Sequence, residues 1–173
     1  MHSKCRLKPS AGRVRNFAVA GTIWNEPRNA SAMTTSYSEG RYALPPSPFD
    51  DAGHRVPEER IDAVVDEFYL RVRRDELLGP VFDAHIDDWG PHLEKMKDFW
   101  SSVLRRTGRY AGNPLAAHMR VPEITLEHFN RWVDLFRETV EELCPPDEAE
   151  AFVYRSLRMR AAMSRALGLV VTV

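Results

Sequence analysis

An all-α fold is what this sequence predicts. Apolar residues recur at three- and four-residue steps in four long segments, strand-like alternation occurs nowhere, and breaks rich in Pro or Gly separate the segments. A chain of 173 residues that is 43% hydrophobic has material for one packed core and is too short for two full domains.

Residues 1–50 show neither helical nor strand periodicity and end in the breaker run Pro45-Pro46-Ser47-Pro48, so they are expected to be disordered, with a single folded domain over 51–170. Residues 1–40 hold six Lys or Arg against two acids, which leaves 18 basic and 23 acidic residues in the remainder. The Arg-rich, acid-poor start has the composition of an organellar transit peptide, and Met33 is an equally good initiator.

After Pro57, Ile61, Val64, Val65, Phe68, Tyr69 and Val72 mark the apolar face of a helix ending near Arg74. Early acids and late arginines suit its dipole, and Gly79-Pro80 is expected to stop any continuation. A second helix starts at Asp87 or Asp88 and carries Trp89, Leu93, Met96, Phe99, Trp100, Val103 and Leu104, with His92 on the same stripe. Gly108, Gly112 and Pro114 then allow only a short helical turn over Leu115 to His118 before Pro122. A third long helix runs from Thr125 and a fourth from about Asp147. The Cys144-Pro145-Pro146-Asp147 junction between them reads as a tight turn closed by a capping Asp, which favours antiparallel neighbours.

Composition narrows the function. A net-acidic folded region has no positive field for phosphates, so nucleic acid is not an expected partner. Cys5 and Cys144 form no CxxC pair, which fits a reducing cytoplasm, and no apolar run is long enough to span a membrane. The histidines at 2, 54, 85, 92, 118 and 128 make no HxxxH or ExxH pair for zinc or a di-metal centre. Nucleophile elbows, Walker loops and dinucleotide fingerprints are absent.

Four residues with polar tips on apolar faces come from four separate segments: Tyr69, His92, His118 and Trp132. His118, on a short rigid segment, has the chemistry of an axial haem ligand whose Nδ1–H would bond a nearby carbonyl. An isolated histidine after a turn is otherwise an ordinary half-buried residue. Tyr69 and His92 are donors suited to the partial negative charge of a bound dioxygen, and the indole of Trp132 can only donate. Without a cofactor, the same residues describe a helical interaction module whose aromatic stripes fill a core.

The order of the segments adds to this reading. Phe68-Tyr69 is followed by Asp75-Glu76-Leu77-Leu78-Gly79-Pro80-Val81-Phe82, then Asp88-Trp89-Gly90-Pro91-His92-Leu93, then Phe99-Trp100-Ser101-Ser102-Val103-Leu104. Gly108 to His118 and His128-Phe129-Asn130-Arg131-Trp132 complete the series. Over roughly residues 56–168 the chain resembles the group III truncated haemoglobins, and it lacks the Gly-Gly pairs of the other two groups. The resemblance implies the truncated globin fold, helices packed two over two around haem b. It implies His118 as proximal iron ligand, and Tyr69, His92 and Trp132 as distal ligand-binding residues. Phe68 and Met96 follow as pocket wall, with Trp100 and Tyr110 packing near the haem. Arg158, Arg160 and the long N-terminal segment depart from the family pattern. Dioxygen, nitric oxide or sulfide are the implied ligands. Peroxidase-like or nitric oxide dioxygenase-like chemistry with a reductase suits such a polar pocket better than bulk oxygen transport, in a monomer or small homo-oligomer.

Overall fold

The protein is described from a computed structural model, in which Tyr42 and residues 56–169 are the described residues. Tyr42 excepted, the segment 1–50 expected to be disordered lies outside them. Among the described residues six helices follow in order: α1 (Glu58–Val72), α2 (Leu78–His85), α3 (Trp89–Arg105), α4 (Pro114–His118), α5 (Leu126–Leu143) and α6 (Pro146–Ala166). No strand occurs among the described residues, and none of their helices is long and apolar enough to cross a membrane.

The four long helices stand where the periodicity puts them, and α4 is the short turn ahead of Pro122. Local chemistry sets several boundaries. Asp88 caps α3, its carboxylate accepting from Gly90 N–H at 2.9 Å. Thr125 caps α5 in a reciprocal capping box with His128. The start of α6 corrects the sequence expectation: Pro145 is the cap, Pro146 opens the helix and Asp147 lies in the first turn. Proline suits that position because the N–H it lacks would have had no partner in the helix.

Helix α2 is the larger correction, since Gly79-Pro80 begins a helix where the sequence read as a stop. The Asp75 carboxylate accepts from the N–H groups of Leu77 and Leu78 at 3.1 and 2.9 Å, satisfying donors that a first helical turn leaves open. Pro80 falls in that same first turn. Gly79 eases a close approach: a Cβ there would stand 3.2 Å from the carbonyl oxygen of Arg73, tight enough that α2 would have to shift slightly from the end of α1.

Two layers result, α1 with α3 and α5 with α6, joined chiefly where α1 crosses α5. At the crossing, Phe136 is fully buried and sandwiched between two parallel indoles, Trp100 at 4.7 Å and Trp132 at 5.1 Å between ring centroids. Apolar residues of both layers pack around these rings in one continuous core.

Candidate functional site

A cavity of about 330 Å³ opens between the layers, within the range of small-molecule sites. Of the residues singled out in the sequence, Tyr69, His92, Met96, Trp100, Tyr110, His118 and Trp132 all line it. Phe68 does not: its fully buried ring lies behind the wall, edge-on to Tyr69 at 5.0 Å and to Trp132 at 5.3 Å.

His118 closes α4, a helix held at its start by Pro114 and by Asn113, whose side chain accepts from Ala116 N–H at 3.1 Å. Its Nδ1 lies 2.7 Å from the Pro114 carbonyl oxygen. A carbonyl can only accept, so Nδ1 carries a proton, and in the neutral imidazole the lone pair is then on Nε2. The imidazole is stacked on Phe129 with 5.7 Å between ring centroids, which further restricts its rotation.

Tyr69 is buried, and burial pushes its phenol well above the ordinary tyrosine range, with Tyr110 adding to the shift. His92 meets it edge-on at 5.3 Å. The His92 Nε2 is a buried polar atom with no hydrogen-bond partner. Desolvation, helped by Lys95, lowers the His92 pKa, so the imidazole is neutral at neutral pH. An orphaned nitrogen of this kind in a cavity wall calls for a ligand.

Tyr110 is placed by its backbone N–H, which donates to Ser102 Oγ at 2.9 Å, and by edge-on contact with Phe99 at 5.1 Å. Gly112 permits the arrangement, since any Cβ there would overlap the Tyr110 phenol.

Several lining residues went unnoticed in the sequence. Phe82 comes from α2, a helix not expected at all, Ile86 caps its end, and Met159 joins Met163 one turn apart on α6. Of the two arginines that looked out of place, Arg158 is exposed and Arg160 lines the cavity. Cys144 is half-buried, and desolvation pushes its thiol up to about 11, so it stays protonated and unreactive at neutral pH.

Residues 49–164 match the bacterial-like globin family. The chain is 35% identical over 89 residues to the group 3 truncated hemoglobin ctb of Campylobacter jejuni, covering 49% of this chain and 70% of that one. The chain belongs to the bacterial-like globins, among the truncated haemoglobins of group III. This globin is also similar to the group 2 truncated hemoglobin YjbI of Bacillus subtilis, at 27% identity over 61% of this chain and 81% of the relative. The crystal structure of the group III truncated hemoglobin from Campylobacter jejuni superposes on this globin with a TM-score of 0.63, at 28% identity, covering 66% of this chain and 93% of that one. Globin membership implies haem binding and small gaseous ligands, which displaces the cofactor-free helical module. The residues present fit such a group: an apolar-walled cavity with an imidazole whose Nε2 is available and a second imidazole whose buried Nε2 is unpartnered.

Proposed function

We propose that this globin binds haem b through His118 and takes dioxygen, nitric oxide or sulfide in a polar distal pocket, for redox or detoxification chemistry and not for bulk oxygen transport. One observation carries the reading. A single apolar-walled cavity holds both His118, its Nδ1 committed to a backbone carbonyl, and the buried, unpartnered Nε2 of His92 beside Tyr69.

Haem, when bound, would be held by His118 and would supply an iron able to take up a small ligand and change oxidation state. His118 offers the lone pair of Nε2, and its Nδ1–H bond to Pro114 raises the basicity of that nitrogen and fixes the ring plane. On the distal side, Tyr69 holds its proton and donates from the phenol, and Trp132 donates from its indole and can never accept. His92, neutral and half-buried, has both a donor and an acceptor nitrogen, so it can move a proton to or from the pocket. Phe68 buttresses Tyr69 and Trp132 from behind, and Met96 and Trp100 keep water from the apolar wall. The unreactive thiol of Cys144 fits a reducing cytoplasm, where a reductase would supply electrons for peroxidase-like or nitric oxide dioxygenase-like turnover.

Each hydrogen bond to a charged or polarised acceptor contributes about 1.5–3 kcal/mol, so losing one speeds dissociation at least roughly tenfold. Tyr69→Phe is therefore expected to raise the dioxygen off-rate by that factor in stopped-flow measurements. An unchanged off-rate would sink the proposed distal role of Tyr69.

A further inference from the structure

Arg160 is unusual in this cavity. Among the described lining residues there is no carboxylate, and the permanent cations are Lys95, which is exposed, and Arg160, which is half-buried. The Arg160 Nε donates to Asn130 Oδ1 at 2.7 Å, while its terminal nitrogens have no acceptor among the described residues. A guanidinium fixed at Nε with its outer N–H groups uncommitted is built to take a carboxylate.

What holds Arg160 on its other side comes from outside the family-matched segment, which begins at residue 49. The Tyr42 ring lies 4.4 Å from the Arg160 guanidinium carbon, and its hydroxyl donates to Asp134 Oδ2 at 2.8 Å. Tyr42 is only 9% exposed and packs with Val133 and Leu157, with Trp132 against the same cluster. Its hydroxyl spans to α5 and its ring covers a cation on α6, so Tyr42 fixes where that cation stands.

We infer that Arg160 receives a carboxylate of the bound macrocycle and that Tyr42, upstream of the globin segment, is the positioning residue that holds Arg160 ready for it. Haem carries two carboxylates, and a cavity with a half-buried guanidinium and no carboxylate among its described lining residues favours an anionic, planar, apolar ligand. Burial lowers the Arg160 pKa, and the Tyr42 and Asp134 charges oppose that shift. The inference rests on the haem reading above.

The test is a double-mutant cycle on the full chain, using Tyr42→Leu, Tyr42→Phe, Arg160→Met and the Tyr42→Leu/Arg160→Met pair. Two quantities are read: the rate of haem loss to excess apomyoglobin, and the affinity of the haem-free protein for the anionic dye 1-anilinonaphthalene-8-sulfonate. Tyr42→Leu and Arg160→Met are each expected to speed haem loss and weaken dye binding roughly five- to tenfold, and the double variant to match Arg160→Met alone, because contacting residues are not additive. Tyr42→Phe, which keeps the ring over the guanidinium, should stay close to wild type. A residue serving stability alone would lower the melting temperature with effects that multiply in the double variant, and that pattern overturns the inference. So does haem loss from Tyr42→Leu at the wild-type rate. Should Tyr42→Leu fail to fold, Tyr42→Met, which fills similar apolar space without an aromatic face for the guanidinium, reads the same coupling. Wild type that takes up no haem but keeps the dye pattern would fell the haem reading and leave the Tyr42–Arg160 anion site standing.

Discussion

Burial acts in opposite directions on the two distal residues, raising the Tyr69 phenol above its ordinary 10.0 and lowering the His92 imidazole below its ordinary 6.5. Both therefore stay neutral between those values. The dioxygen off-rate is expected to show no inflection between pH 6.5 and 9.5, and one inside that window would show that one of the two titrates where this burial forbids it. Phe68 makes a second residue-scale prediction. With rings packed on it from Tyr69, Trp132 and Phe136, Phe68→Ala should cost about 3–5 kcal/mol in denaturant unfolding, as large-to-small core changes do. A loss below about 1 kcal/mol would mean the cavity left behind collapses freely. The polar residues of the cavity were legible because a phenol, an imidazole or an indole on an apolar face needs a partner. The layer occupied by Phe68 was not, because Phe68 and Tyr69, about 100° apart on the helix, both fall within one broad apolar stripe and only packing decides which ring meets the cavity.

Elements differed in how plainly they announced themselves. Helices α1, α3, α5 and α6 carry long apolar stripes, and α4 is short because Pro114 opens it and Pro122 follows soon after. Helix α2 was hidden, since Gly79-Pro80 is a breaker by composition and a helix start only once Asp75 supplies the missing acceptors. Asp75 also pairs with Arg131 Nε at 2.7 Å, tying the α1–α2 turn to α5. Burial alone would raise the Asp75 pKa, and the hydrogen bonds from Leu78 and Arg131 outweigh it and hold the carboxyl below its ordinary 3.8. A depressed folded pKa gives stability that is present above 3.8 and lost as pH falls through the folded value. Asp75→Ala is expected to destabilise by about 1–3 kcal/mol near neutral pH, from the lost cap and the unpaired arginine, with the difference shrinking in acid. Thermal melts at pH 7 and pH 3 check both the size and the sign, and a difference that grew in acid would contradict the assignment.

For the whole molecule, the two-layer arrangement follows from four amphipathic helices with short connections, and that much the periodicity carried. The docking of Tyr42 was illegible, because one aromatic residue in a segment without period gives no sign that it meets Asp134 and Arg160 far along the chain. A chain begun at Met33 retains Tyr42, so its haem-loss rate should equal that of the full chain, measured by transfer to apomyoglobin. Faster loss would mean that residues before Met33 also support the cavity. The six helices among the described residues all line one cavity, and the proposed haem ligand in it is His118. Ultraviolet-visible spectra of haem-reconstituted wild type and His118→Ala, in ferric, ferrous and carbon monoxide forms, test it directly. The account predicts stoichiometric haem in wild type with bands that weaken or shift in the variant and recover when free imidazole is added. Spectra indistinguishable between the two proteins would contradict it.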